Sequence, residues 1–485
     1  MNLASIIDRH PDDRPALISR GKETAYGELR AQVAEMRGGL TELGIAAGDR
    51  VALLTANNWY FVSAYLAVLG VGAVAVPLNP ASPPPEVQHE LEVVGARLAI
   101  VGPTGRQAIA GVDIDAVPAL GGVVAAGDLL GAEPVPVAAR DGDDLAVLLF
   151  TSGTAGAPRA AKLTHGNLLA NIEQVLAVQV DRPREDVALA VLPLFHIFGL
   201  NALLGVALQA GWTLVLMERF DPYATLEAIV EHGVTVLIGV PAMWSALASL
   251  PGVEPSALAG LRVAVSGAAD LDPVVSRLVA ERLGVTVAQG YGLTEASPVV
   301  AGSLGRGAPP GSIGRPLPGV KVRLVDAGGD DVLIGDPGEI WVRGPNVFGG
   351  YWGDTEASKA VLTDDGWLRT GDVAVVDDDG FLYLVDRAKD VVIVSGFNVF
   401  PAEVEDVLIQ HPDIVDVAVV GVPHPHTGEA IKAFVVMAPG ATIEEDALVT
   451  FCARHLARYK CPSTISFVDE VPHNVVGKVV RRALR

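Results

Sequence analysis

The stretch from Leu145 to Leu168, LAVLLFTSGTAGAPRAAKLTHGNL, places small and hydroxylated residues where an anion could be held. An apolar run leads into Thr151, Ser152, Gly153, Thr154 and Gly156. Backbone N–H groups in such a loop can turn inward around phosphate oxygens while the hydroxyls add donors. No GK[ST] closes the loop, so it is not a Walker A sequence. Taken alone, the same residues also read as a polar turn between a strand and a helix.

Other residues with chemical capacity follow. Glu295, in QGYGLTEASPVV, is a hard oxygen donor among glycines and aromatic residues, of the type magnesium takes alongside phosphates. Asp372 in RTGD is an acceptor at a turn, and Arg387 by itself is an ordinary surface cation. His196 follows an apolar run and precedes Ile-Phe-Gly, which alone describes a satisfied core histidine. Lys478 sits in a Gly-Lys pair close to the C-terminus, where the plain reading is a solvated charge. His424 and His426 in VPHPHTGE have no evident third ligand and read as a loop. Cys452 and Cys461 read as free thiols in a reducing compartment.

The totals constrain what these residues can serve. The 485-residue chain has 57 acidic and 35 basic residues, a net charge of −22, which repels phosphate backbones and anionic headgroups. Nucleic acid is therefore an unfavourable partner, and a polyanion such as ATP needs a local island of cations and backbone donors. Half the residues are apolar, enough for packed cores, and the length calls for at least two structural units. The N-terminus carries charges where a signal peptide needs its apolar region, so a cytoplasmic location is expected. Thr55 to Pro85 holds no charge, but Gly70, Gly72, Pro77 and Pro80 divide it into a helix over 60–69 and a short strand, AVAVP. His196 to Met217 divides in the same way, with GLNALLGVALQ as helix and WTLVLM as strand, so no transmembrane segment is expected.

The elements that must position the site can be read from periodicity. Leu29, Val33, Met36, Leu40 and Leu43 mark an amphipathic helix closed by Gly44 and followed by the strand-like RVALL. Alternation of this kind through much of the first 270 residues predicts parallel sheets covered by helices. The runs VTVLIGV, LRVAVSG and GVTVAQGYG each end in Gly or Pro, as strands delivering loops to a site do. From about 310 to 385, VKVRLVD, GEIWVRG and VAVVDDDGFLYLVD suggest antiparallel structure. Beyond Asp386, strands VDVAVVGV and KAFVVM mix with a helix, ALVTFCARHLARY, in a segment long enough for a small second domain.

Together these segments resemble the adenylate-forming superfamily of acyl-CoA synthetases, firefly luciferases and peptide-synthetase adenylation domains, with a look closest to bacterial fatty acid-CoA ligases. The resemblance rests on the phosphate loop, LPLFHIFGL, VSGAADL, QGYGLTEASPVV, GEIWVRGPNVFGGYW, GWLRTGDVA, FLYLVDRAKDVVIVSGFNVFPAEVE and VGKVVRRALR, in that order over 145–485. The first 140 residues match more loosely, through AYGELRAQ and GAVAVPLNP. It implies an α/β fold: a large N-terminal domain of helix-covered sheets plus a distorted β-barrel (1–386), a hinge at 387–389, and a small mobile α+β C-terminal domain (390–485).

The implied chemistry is ATP-dependent formation of an acyl-AMP and its transfer to coenzyme A. The resemblance assigns Thr154 and Glu295 to magnesium. Thr151, Ser152, Gly153, Thr154, Gly156, Gly267, Ala268, Ala269, Gln289, Gly290, Tyr291, Gly292, Thr294, Asp372, Arg387 and Lys478 would bind the nucleotide. Asp372 and Arg387 share the ribose, and Lys478 reaches the α-phosphate and carboxylate. His196 stands beside the acyl carboxylate, and Phe198, Ala202, Val240 and Ala268 join it in the acyl pocket. Lys389 maps to the hinge, and rotation there would bring Gly396 to the pantetheine tunnel.

The small, apolar pocket positions favour a medium- or long-chain fatty acid. An aromatic or dicarboxylic acid, or loading of a carrier protein, is the alternative; Phe198 stands where malonate-using relatives tend to show a second histidine. Arg159 and Ala160 depart from the usual lysine and glycine of the phosphate loop, and Asp270 sits where proline is common, at a position suited to capping the next helix. A homodimer is left open as the assembly.

Overall fold

The computed structural model describes the chain except residues 153–157, 179–184, 270, 272, 306, 327, 388–391, 400, 473–480, 482, 483 and 485, and describes the backbone alone at 152, 256, 385–387, 398 and 402. It is a mixed α/β molecule with two large sheets, a curled antiparallel sheet and a smaller C-terminal unit.

The largest sheet has nine strands, and five of them form its parallel heart. Val263–Ser266, Val236–Gly239, Val187–Ala190, Thr213–Leu216 and Pro15–Ser19 lie side by side in parallel, with Ala288–Gly292 parallel at the near edge. They are short, apolar and buried on both faces, the composition of strands sandwiched between helices. Beyond Ala288–Gly292 the sheet turns antiparallel, through Val299–Gly302 and Arg315–Pro316. Because the parallel strands run the same way, their C-terminal ends share one edge, and the loops after Ala190, Gly239, Ser266 and Gly292 emerge together there.

The second sheet has six strands, with Arg50–Leu54, Val74–Pro77 and Leu98–Val101 parallel and a hairpin, Leu145–Ser152 with Pro158–Thr164, at its edge. The phosphate-type loop therefore joins two antiparallel strands rather than a strand and a helix. The helix His165–Ala177 starts only after the second strand, at a reciprocal cap between Thr164 and Asn167, a device that stabilises a helix start by about 1 kcal/mol. The same Asn167 donates to the carbonyls of Pro345 and Val347, tying the hairpin to the segment that reaches Glu295.

Residues 321–387 form a four-stranded antiparallel sheet that curls as a half-barrel, as the Asp-Gly turns suggest. A separate apolar cluster runs from Val392 to Ile465 and packs two helices, Pro401–Leu408 and Glu445–Ala453, on a five-stranded sheet.

Several boundaries differ from the periodic reading. The first long helix is Tyr26–Glu42, and Leu43 is half exposed beyond its end. The apolar run after His196 is a π-helix, Phe198–Gly205, before it becomes α-helical at Val206–Ala210. The last helix stops at Ala453, and Arg458–Lys460 forms a separate short turn of 3-10 helix. Among the described residues no helix is long and apolar enough to cross a membrane, because Gly70 ends Trp59–Gly70 before the chain turns into Val74–Pro77. Cys452 and Cys461 are free and largely buried, and burial pushes both thiols up, to about 12 and about 11.

Candidate active site

One cavity of about 320 Å³ opens where the strand ends of the nine-stranded sheet face the half-barrel and the C-terminal unit. The loop after Val187–Ala190 supplies His196 and Phe198, and the loop after Val263–Ser266 supplies Gly267, Ala268 and Ala269. The strand Ala288–Gly292 supplies Gln289, Gly290, Tyr291 and Gly292, and its continuation supplies Thr294 and Glu295. Thr151, Ala202, Asp372 and Gly396 complete the expected residues that the fold brings into this cavity.

Hydrogen bonds hold these loops in place. Leu271 N–H donates to Gln289 Oε1 at 3.1 Å, tying Leu271 to the next strand. Tyr291 donates its phenol to Asp372 Oδ2 at 2.7 Å, and Asp372 lies opposite Arg387 in the antiparallel ladder. Glu295 accepts from the Tyr351 hydroxyl at 2.7 Å, while its backbone carbonyl accepts from Phe348 N–H at 2.8 Å. Burial and the Glu295 carboxylate push the Tyr351 phenol well up, so it stays protonated and donates.

Gly267 is needed for a packing reason. A Cβ built there would lie 2.8 Å from Phe198 Cζ, so the ring rests directly on the glycine backbone. His196 receives a hydrogen bond at Nδ1 from Phe198 N–H, 3.3 Å away, which places the imidazole proton on Nε2. Burial pushes its pKa down to about 4, so the ring is neutral at physiological pH.

Some expected residues stand elsewhere. Val240 does not line this cavity: the strand Val236–Gly239 ends where Gly239 accepts from Gly267 N–H, and Val240 lies past that edge, against Gly396. Gly396 has φ +85°, and a Cβ there would sit 2.5 Å from Val240 Cγ1. Gly153, Thr154, Gly156, Asp270, Lys389 and Lys478 lie outside the described residues, and Ser152 and Arg387 are described by backbone alone. Arg159 is directed to Asp354 at 3.0 Å and lies over the Tyr351 ring, and Ala160 is buried, so this departure forms a fixed strand rather than a free cation.

Sequence reasoning missed an aromatic column between the two units. Phe397 stacks on Tyr459 at 4.3 Å and on Phe195 at 6.3 Å, and meets His196 edge-on at 6.1 Å. Asn79, Phe195 and Phe397 are shared between the cavity and a second groove, which runs past Val240, Ser395, Arg219 and Arg458. Only Phe397 carried a signal, as the neighbour of Gly396.

The sequence profile of AMP-binding enzymes matches residues 3–352, and that of the AMP-binding enzyme C-terminal domain matches residues 403–478. The chain belongs to the AMP-binding enzyme family. It is similar, at 40% identity over 470 residues, to a feruloyl-CoA synthase of an Amycolatopsis species, covering 96% of this chain and 94% of the relative. It is 35% identical over 520 residues to the long-chain-fatty-acid–CoA ligase of Escherichia coli O157:H7, covering 98% and 91%. The amide bond synthetase McbA from Marinactinospora thermotolerans superposes with a TM-score of 0.91 at 32% identity, covering 100% and 99%.

The adenylate-forming acyl-CoA ligases to which this family extends use ATP, magnesium and coenzyme A. The donor set fits magnesium. Glu295 offers one carboxylate to the cavity, apart from Asp372, which is engaged by the Tyr291 phenol, and no group of three metal-ligating side chains occurs among the described residues. One or two carboxylates plus substrate phosphates is the usual magnesium arrangement in nucleotide sites.

Proposed function

We propose that the chain is an AMP-forming acyl-CoA synthetase for an apolar monocarboxylic acid, in the first place a medium- or long-chain fatty acid. The observation that carries this reading is the cavity wall beside His196, where Phe198, Ala202, Val206, Ile238 and Val265 are all apolar. An alkyl chain leaves no polar group unpaired there, whereas a second carboxylate would be stranded. An aromatic acid is the second reading. It is favoured by the ring of Phe198 lying on the Gly267 backbone, a flat surface suited to another ring, and by the feruloyl-CoA synthase relative.

Carboxylate and ATP are both anions, and their approach is repulsive until cations offset the charge. Magnesium would supply that neutralisation between Glu295, Thr154 and the phosphates. Lys478 would add a cation at the α-phosphate, and Asp372 with Arg387 would hold the ribose. The neutral His196, with its proton on Nε2, can donate to an acyl oxygen without adding charge of its own. The carboxylate oxygen attacks the α-phosphorus, and the bond to pyrophosphate breaks. The coenzyme A sulfur then attacks the carbonyl carbon, the bond to AMP breaks, and the thiol proton is released. Coenzyme A would lie along the second groove, where Arg219 and Arg458 suit its phosphates.

The test is ATP–pyrophosphate exchange and CoA-ester formation with octanoate, palmitate, ferulate and malonate. Fatty acids should give the highest kcat/KM and malonate the lowest. Ferulate ahead of both fatty acids would replace the first reading by the second, and exchange without any CoA ester would reject the CoA acceptor.

A further inference from the structure

At one end of the main cavity four charged side chains are packed together away from water. Glu86 and Glu90 stand four residues apart on the helix Pro84–Val94 of the N-terminal unit. Glu403, on Pro401–Leu408, and Lys460, in the short turn Arg458–Lys460, come from the C-terminal unit. Their exposures are 9%, 6%, 5% and 5%. Lys460 Nζ donates to Glu86 Oε1 at 2.9 Å and to Glu403 Oε1 at 2.8 Å, and Ala457 N–H donates to Glu86 Oε2 at 2.9 Å. The lysine thus bridges the two units, and Glu90 and Lys460 both line the cavity.

Three carboxylates against one ammonium, all ionised, would leave two uncompensated negative charges in a dry site, which is strongly unfavourable. Glu90 Oε2 and Glu403 Oε2 have no hydrogen-bond partner. The remaining titratable groups around the cluster do not help: burial pushes the Tyr459 phenol and the Cys461 thiol up, so both stay neutral, Arg458 is exposed, and Asp406 near Glu403 adds negative charge. Burial, then the neighbouring Glu86, push Glu90 well above the ordinary carboxylate range, so a proton is the available compensation.

We propose that Lys460, held between Glu86 and Glu403 with Glu90 alongside, is a positioning residue that latches the C-terminal unit for thioester formation, and that closing the latch takes up a proton. The proposal rests on the two-step reading above. The arrangement in which the latch is closed is also the one that places Gly396 against Val240 and Phe397 against His196. If the C-terminal unit turns away, Lys460 and Glu403 leave, water reaches Glu86 and Glu90, and Glu90 returns to about pKa 4.3 and ionises. The sign follows from the raised value in the closed state. Closure is fully favoured below the ordinary carboxylate range and weakens as pH rises, by up to about tenfold per unit for one proton, until Glu90 ionises in the closed state too.

The test uses the full-length enzyme, hydrogen exchange of peptides spanning 84–94 and 455–462 corrected for intrinsic rates, and the two half-reactions assayed apart with palmitoyl-AMP and feruloyl-AMP as probes. In the wild type, protection of both peptides and thioester formation should fall together as pH rises. Lys460→Met should remove the protection and slow thioester formation roughly 100-fold, the scale of breaking a buried ion pair, while pyrophosphate exchange stays within about threefold. Glu90→Gln, which is neutral at every pH and close in shape, should keep both at neutral pH and flatten their pH dependence. Unchanged protection in Lys460→Met, equal losses in both half-reactions, or an unaltered pH dependence in Glu90→Gln would each overturn the latch. A wild type that makes no CoA ester would reject the acceptor reading instead, and the exchange data would still decide the latch.

Discussion

His196 and Glu90 both line one cavity, and burial drives both to their uncharged forms. For the imidazole this means losing a proton, and its pKa falls to about 4. For the carboxyl it means keeping one, and its pKa rises. The physics is the same, but the consequences differ. The His196 end is built on a single sheet edge whose loops are tied to one another, and the C-terminal unit adds the uncharged ring of Phe397 but no counter-charge. The Glu90 end is completed by Lys460 and Glu403 from the other unit, so its charge state changes with docking. The first end is suited to a fixed site and the second to a moving joint.

The largest effect should come from wedging the joint open. Gly396→Leu must adopt φ near +85°, where a side chain costs about 1–2 kcal/mol, and must also displace Val240. Thioester formation should fall about 100-fold, the equivalent of roughly 2.7 kcal/mol, with acyl-AMP formation nearly intact. Adding Val240→Ala should return part of the loss by clearing the methyl group while the backbone cost remains. Loss of acyl-AMP formation to the same extent would erase the distinction between the two ends.

A smaller effect is expected at the fixed end. Ala268 lies in the cavity wall with φ +66°, and Ala268→Trp should fill acyl space without touching the latch. Palmitate should lose more than acetate, by about tenfold in relative kcat/KM, the scale of one or two methylenes of pocket space. Uniform losses across acids would mean that the position does not sort acyl chains.

How much of this could be read in the sequence follows the same division. The loops holding His196, Gly267, Gln289, Glu295 and Asp372 were legible as short local strings of particular residue types, and the fold brings them to one cavity. Parallel sheets followed from the helix–strand alternation. The hairpin at 145–164 was not legible, because PRAAKLT reads equally well as a helix approach until its pairing with Leu145–Ser152 is seen. Val240 stands in the neighbouring groove against Gly396, a placement the sequence does not give because a strand end sets where its loop starts but not its direction. The latch was invisible: Glu86 and Lys460 are separated by 374 positions, and neither has a neighbour pattern that sets it apart from a surface charge.

The smallest expected effect is the most diagnostic for His196. An exposed histidine titrates near 6.5, so an essential neutral imidazole at the surface would give acyl-AMP formation an acid limb between pH 5.5 and about 7. Here burial holds the ring neutral down to about pH 4, and Nδ1 is already engaged by Phe198 N–H. If the sheet-edge loops alone keep the ring buried when Phe397 leaves with the C-terminal unit, pyrophosphate exchange at saturating substrates shows no histidine-like inflection from pH 5.5 to 7.5. The corresponding stability contribution is complete above the unfolded value near 6.5 and is lost as pH falls through about 4, because the unfolded chain binds the proton more readily in that window. His165, also pushed down to about 4 by burial and with its Nδ1 accepting from Leu3 N–H, adds a second contribution of the same sign. Acid unfolding followed by circular dichroism should consequently steepen below pH 6.5, and His165→Asn should shallow it without altering the exchange profile. An inflection near 6.5 in pyrophosphate exchange that disappears in His196→Asn would show that water reaches the ring, and with it that this end of the cavity is as open as the joint.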